Sequence, residues 1–277
     1  MNEINIELHA HPIGLRKYGL ETIVKIAKKN NLDCVALEDY NNYIFPELKE
    51  MSKRLDGKYR IVSNDEVIRI ADEKKSVYIL NASELMTEEK FHIITLGKTC
   101  SKEGDKIDNI LKSDFLTIID HPLVDAEKSW KEIGQDKKKT LTHICANYAD
   151  KIALEWNSYC KDWIWNSFLG GDINEKTEIW SYRYNIPLVA DTDLHGWNEK
   201  LMNDLGKSRI MIPLENLDFN LNYLIPSIKK AIADKKHENV KNYVPLMHFA
   251  EAFGFPIIAS KFCNSIYKHA RGKIKEN

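Results

Sequence analysis

At 277 residues the chain is long enough for one large α/β barrel or for two ordinary domains, and its composition is that of a globular protein. Forty lysines and arginines against 41 aspartates and glutamates leave a formal net charge of −1, which gives no bulk electrostatic reason to expect nucleic acid as a partner. No stretch approaches the ~20 apolar residues of a membrane span.

The first apolar run, residues 4–8, is interrupted by Asn5 and Glu7 and does not read as a signal peptide. Five cysteines (Cys34, Cys100, Cys145, Cys160 and Cys263) are odd in number and form no Cys-x-x-Cys, which suits free thiols in a reducing cytoplasm.

In chain order, residues 4–8 predict a strand, and Leu20, Ile23, Val24 and Ala27 have the spacing of a helix stopped at Asn30-Asn31. Residues 32–37 predict a second strand and 46–55 a helix. Further strands are expected at 59–63, 77–82 and 91–96, then a short helix at 105–112 and a strand at 115–119. A helix near 141–148, a strand at 152–155, a helix near 175–184 and strands at 187–190 and 209–212 follow. From Asn220 onward the pattern turns helical, with 243–253 and 256–270 as segments. Alternation of this kind predicts a parallel α/β sheet, open or closed. The expected organisation is a barrel over residues 1–215 and a helical C-terminal extension over 216–277 packed on it.

Ligands gather at the carboxyl ends of strands in such folds. His9, His11, Asp39, Glu84, His121, Glu155, Asp193 and His195 all fall at or just after such ends. His9 and His11 are two residues apart on a strand, so their imidazoles point to the same side. Imidazole and carboxylate donors without a nearby cysteine suit zinc, manganese or iron in a site that keeps room for water. His143, His237, His248 and His269 lie on helical or basic stretches and read as surface or satisfied core residues. Trp156, Trp163 and Trp165 read as core packing rather than a base-stacking platform.

Seven segments carry a resemblance. They are Leu8-His9-Ala10-His11, Leu37-Glu38-Asp39-Tyr40, Ser83-Glu84-Leu85, His92-Ile93-Ile94-Thr95-Leu96-Gly97, Asp120-His121-Pro122, Leu154-Glu155-Trp156-Asn157 and Asp191-Thr192-Asp193-Leu194-His195-Gly196. In this order, over about residues 3–212, they resemble the polymerase and histidinol phosphatase (PHP) superfamily of metal-dependent phosphoesterases. The resemblance implies a distorted (β/α)7 barrel and a cluster of up to three divalent metals.

Carried over, it gives His9, His11, Glu84 and Asp193 as ligands of one metal, with Glu84 bridging to a second held by His92 and His121. Of a third site only His195 survives, because Arg16 or Lys17 and Tyr40 stand where the other two ligands would be. Two metals (Zn, Mn or Fe) are therefore expected. His195, Asp193 and Glu84 are then the candidate catalytic groups, and Arg16, Lys17 and Tyr40 the candidate substrate contacts.

The chemistry the resemblance implies is hydrolysis of a phosphate ester by a hydroxide shared between two cations, with His195 protonating the leaving oxygen. A small phosphorylated metabolite or nucleotide is the expected substrate, with no stable nucleic-acid partner and no membrane. Two other classes stay open: a metal-binding regulatory module of weakened turnover, and an amidohydrolase-like enzyme cleaving C–N bonds.

Overall fold

The computed structural model describes residues 3–11, 15–38, 44–113, 115–125, 131–160, 172–196, 198–249 and 251, without the side chains of 15–18, 131, 199, 246 and 249. The elements are β1 (Glu3–His11), α1 (Leu15–Lys29), β2 (Cys34–Leu37), α2 (Phe45–Lys53), β3 (Arg60–Ser63), β4 (Val67–Ala71), β5 (Ser76–Met86) and β6 (His92–Leu96). They continue with α3 (Ile107–Ser113), β7 (Thr117–Ile119), the short pair β8 (Val124–Asp125) and β9 (Lys131–Glu132), α4 (Gln135–Asn147), β10 (Ile152–Asn157) and α5 (Ile173–Tyr184). After these come β11 (Leu188–Asp191), β12 (Leu194–His195), α6 (Glu199–Met202), β13 (Arg209–Pro213), α7 (Leu224–Ala233), β14 (Glu238–Val240) and α8 (Leu246–Phe249). Met1–Tyr243 forms one compact unit and Val244–Asn277 a second, in which α8 is the helix described. No helix among the described residues is long and apolar enough to cross a membrane.

Local chemistry accounts for the elements. β2 reads Cys-Val-Ala-Leu and is buried throughout, as a central strand covered on both faces must be. Helix α1 buries Leu20, Ile23, Val24 and Ala27, the stripe that its spacing predicts, against Phe45 and Leu48 of α2. Gly19, at φ 73° and ψ 162°, breaks α1 after its first turn. Helix α5 starts where the Asp172 carboxylate accepts the Glu175 N–H at 2.9 Å and stops at Asn185 in the left-handed region.

The main sheet has the order β11-β10-β7-β6-β5-β2-β1-β13-β14, with β12 beside β1 and the β3–β4 hairpin on β5. It is a distorted, nearly closed α/β barrel. The pairs β1–β2, β2–β5, β7–β10 and β10–β11 are parallel. Unlike the uniform direction that alternation predicts, β6 runs antiparallel to both β5 and β7, and β13 antiparallel to β1. Only residues 87–91 connect β5 to β6, too few for the crossover that a parallel pair needs. Strands β4 and β14 were not anticipated by the sequence pattern. One apolar cluster joins Ile6, Leu8, Ala36, Leu80, Ile94, Ile118 and Ile210 to Leu224, Ile228 and Ile232 of α7, and the other carries α1 and α2.

The two ends of the strand order meet through a side chain. Asn239 on β14 accepts the Ala190 N–H at 2.7 Å and donates to the Leu188 carbonyl at 2.8 Å, imitating a ladder pair against the edge of β11. Asn239→Ala should lower stability by about 1–3 kcal/mol, because it leaves both backbone groups without that partner. Denaturant unfolding measures it, and a change below about 0.5 kcal/mol, ordinary for a surface site, would mean that the bridge does not hold the barrel ends together.

Candidate metal centre

Strand ends bring the predicted ligands together. β1 supplies His9 and His11, β5 supplies Glu84, β7 leads into Asp120 and His121, β10 carries Glu155 and Asn157, and β11–β12 carry Asp191, Asp193 and His195. His92 reaches the same end because β6 is reversed, so that its first residue lies beside the carboxyl ends of its neighbours. His9, His11, Glu84, His121 and Asp193 are buried, and His92 is partly so.

The donor atoms form overlapping groups, two of which share the Glu84 carboxylate. His9 Nε2 lies 3.0 Å from His11 Nε2 and 3.4 Å from Asp193 Oδ1. His11 Nε2 lies 3.6 Å from Asp193 Oδ1 and 3.3 Å from Glu84 Oε2. Donors about 2.0–2.2 Å from a tetrahedral ion stand roughly 3.3–3.6 Å apart, and three of these four separations lie in that range. The other oxygen of Glu84, Oε1, lies 2.6 Å from His92 Nδ1, and His121 Nε2 lies 2.9 Å from Asp120 Oδ2. Glu84, His92, Asp120 and His121 thus form a second group, while His11, Asp193 and His195 form a third that overlaps the first.

Supporting contacts orient the ligands. His9 Nδ1 pairs with Glu155 Oε1 at 2.7 Å, which turns Nε2 toward the donor group, the arrangement by which a carboxylate fixes a metal-binding imidazole. Glu155 Oε2 accepts the His121 N–H at 2.7 Å. Asn157 Nδ2 donates to Glu155 Oε2 at 3.0 Å and to Asp193 Oδ2 at 2.9 Å. His195 Nδ1 faces the Asp193 carbonyl at 2.9 Å, and its side chain is 25% exposed at the rim. Asp193 and His121 have φ of 51° and 27°, a left-handed conformation that persists only where the surroundings hold it.

The electrostatics are those of an acid cluster in want of cations. Burial, with help from nearby carboxylates, raises the carboxyls of Glu38, Asp120 and Asp191 well above the usual range. Burial also acts on Glu84 and Glu155, but imidazoles outweigh it at Glu84, and Asp120 and His9 outweigh it at Glu155, so both are held below that range. Burial and the His92 ring bring His121 down to about 3. Among the described residues, the ion pairs of these carboxyls are with imidazoles. A divalent cation fits this donor set, which combines imidazole nitrogens with buried carboxylate oxygens.

Sequence reasoning missed several members. Glu38, Asp120, Asp191 and Asn157 are all buried in or beside the donor group, and Asp120 and Glu155 belong to it without having been assigned as ligands. So is Glu7, whose carboxylate accepts the N–H groups of His9, Thr192 and Gly206 at 3.2, 3.0 and 2.9 Å. The period of two that pairs His9 with His11 would have found Glu7, and it also links Asn157 to Glu155 and Asp191 to Asp193. Tyr40 and Asp39 lie outside the described residues, as do the side chains of Arg16 and Lys17 on α1.

Two outcomes follow from this geometry. Mn²⁺ or Zn²⁺ at a hundredfold excess over Kd should stabilise the protein by about 2.7 kcal/mol, read as a higher Tm that a chelator reverses. An unchanged Tm would show that the donors hold no ion. Asn157→Ala, which deletes an outer partner of Glu155 and Asp193, should weaken metal affinity by about 10–100-fold in a titration of the metal-free protein.

No protein-family model and no curated protein matches the chain. Among solved structures it is similar to PsfC from Pseudomonas syringae PB-5123, with a TM-score of 0.56 and 11% identity, covering 96% of this chain and 100% of that one. It is also similar to the lesion-specific endonuclease PfuEndoQ from Pyrococcus furiosus, with a TM-score of 0.52, 14% identity and coverage of 86% of this chain and 58% of that one. A third likeness is to an endonuclease Q in complex with a 27-mer duplex substrate bearing an abasic lesion, with a TM-score of 0.50, 16% identity and coverage of 87% and 60%. The chain therefore spans about 60% of the length of the endonucleases it matches. At these identities the likeness is one of fold. The chain has the distorted α/β barrel of these proteins, and in its ordered ligand segments it resembles the PHP superfamily.

Proposed function

We propose that the protein is a metal-dependent hydrolase of phosphate esters, acting as a phosphomonoesterase on a small phosphorylated metabolite or nucleotide. The observation that carries this reading is Glu84, which turns one carboxylate oxygen to His11 and the other to His92 and so joins two donor groups at one buried point. His9, His11, Glu84 and Asp193 would hold one cation and Glu84, His92 and His121 the second, with Asp120 beside it. Such cations, when bound, polarise a phosphoryl oxygen and acidify water.

The chain's own residues do the rest. Glu155 and Asn157 keep His9 and Asp193 in place, so the donors need no rearrangement during a turnover. His195 stands at the rim with Nδ1 directed to the Asp193 carbonyl, so proton delivery to a leaving oxygen falls to Nε2. Arg16, Lys17 and Tyr40 are proposed to contact the phosphate from the sequence alone, with Lys17→Ala raising KM at unchanged metal content.

A nucleic-acid substrate is the second reading, favoured by the fold shared with two endonucleases, one of them bound to a lesion-bearing duplex. A formal net charge of −1 offers little of the phosphate-neutralising charge on which duplex binding depends. Turnover of an aryl phosphate, a nucleoside monophosphate, an abasic duplex and an aryl amide, each with manganese, zinc and iron, separates the classes. The expected result is activity on the monoesters alone. Cleavage of the duplex alone would replace the first reading by the second.

Glu84→Gln should lower kcat on the order of 100-fold or more and remove more metal than His92→Ala, since it touches both donor groups. Elemental analysis beside kinetics reads both quantities, and an expected content near two ions per wild-type chain. Full metal content and turnover in Glu84→Gln would end the bridging assignment.

A further inference from the structure

Glu38 follows the last residue of β2, and the resemblance gives it no role. Its N–H donates to the Ala10 carbonyl at 3.1 Å, which fixes its backbone beside the strand carrying His9 and His11. The side chain is fully buried, and neither carboxylate oxygen has a hydrogen-bond partner among the described residues. Two other buried carboxyls of the centre, Asp120 and Asp191, each interact with Glu155. The Glu155 charge acts on Glu38 as well, with no hydrogen bond to either Glu38 oxygen among the described residues.

Its direction is informative. Its Oε1 lies 4.0 Å from His9 Nε2. That is the edge of His9 that faces His11 and Asp193, whereas the opposite edge is engaged by Glu155. Glu38 therefore points to the donor side of the ring. A carboxyl buried only to pack the barrel would be expected to have a donor, because an unpartnered polar group is costly in the interior.

We propose that Glu38 is a further carboxylate donor to the metal centre, added from β2 to the group formed by His9, His11, Glu84 and Asp193. The inference rests on the metal-centre reading above. It gives the orphaned oxygens a partner and adds a carboxylate two positions before Tyr40, which in the sequence stands where the resemblance implies a third-site histidine.

The test uses the full chain, stripped by a chelator and titrated with Mn²⁺ or Zn²⁺ by calorimetry, with thermal unfolding recorded with and without the ion. Glu38→Gln keeps the shape and removes the charge. Its metal-free Tm should equal or exceed that of the wild type, since a neutral amide replaces an unpartnered acid. Its affinity at one site should nevertheless fall about tenfold or more, and its ion-induced rise in Tm should shrink. Opposite movements of those two readouts are not what loss of a packing residue produces.

Unchanged affinity in Glu38→Gln overturns the inference while leaving the metal centre intact. A wild type that binds no ion overturns the metal-centre reading itself. Should Glu38→Gln fail to fold, Glu38→Asp, which retains the charge but withdraws it, is measured in the same way. Weakened binding in that variant supports the inference, and wild-type affinity overturns it.

Discussion

Negative charge that cannot reach water is the constraint around which this protein is arranged. Glu7, Glu38, Glu84, Asp120, Glu155, Asp191 and Asp193 are all buried at one end of the barrel. A buried carboxylate is tolerated when it is paired, hydrogen-bonded, protonated or bound to a metal. Glu7 takes the hydrogen-bonding solution in part: three backbone N–H donors oppose burial, which still raises its carboxyl to about 7. Glu84 and Glu155 take the pairing solution through His92 and His9. Glu38, Asp120 and Asp191 are left with pKa values raised by burial, the mark of groups for which the described residues supply too little positive charge. A cluster short of cations, lined by imidazoles, is a place built for cations from outside.

The Glu7 carboxylate also explains how the site keeps its shape. It ties His9 on β1 to Thr192 in the turn between β11 and β12 and to Gly206. The next residue, Asp193, holds a positive φ, and Asn157 secures its carboxylate from the β10 side. Strain of roughly 1–3 kcal/mol per such residue is sustained by fixed neighbours. Gly206 is itself constrained, since its φ is 72° and a Cβ there would meet the Leu32 side chain at 2.5 Å. Ligand geometry, strand pairing and a glycine turn are thus coupled through one side chain.

Most of the strands, the helical stripes and the two-residue spacing of His9 and His11 were legible in the sequence, because each depends on neighbours within a few positions. The ordered segments from His9 to His195 were legible as a set for the same reason: each is an apolar run with donor residues in or beside it. Less legible were β4, whose run is cut by Arg69, and β14, which is three residues long. Direction was not legible at all. A strand's apolar pattern is the same read either way along the sheet, so the reversal of β6 had to come from the short connection before it.

What the sequence determined by itself was the class of donor: imidazoles and carboxylates, at strand ends, in a chain with an α/β alternation. The tertiary structure decided which of them meet. It brought His92 to the carboxyl ends of its neighbours by reversing β6, and divided the oxygens of Glu84 between His11 and His92. It also placed Glu155 behind His9 and buried Glu38 without a partner. Such relations join residues as far as 146 positions apart, and they arise only when the sheet curls and brings the ends of separate strands to one point.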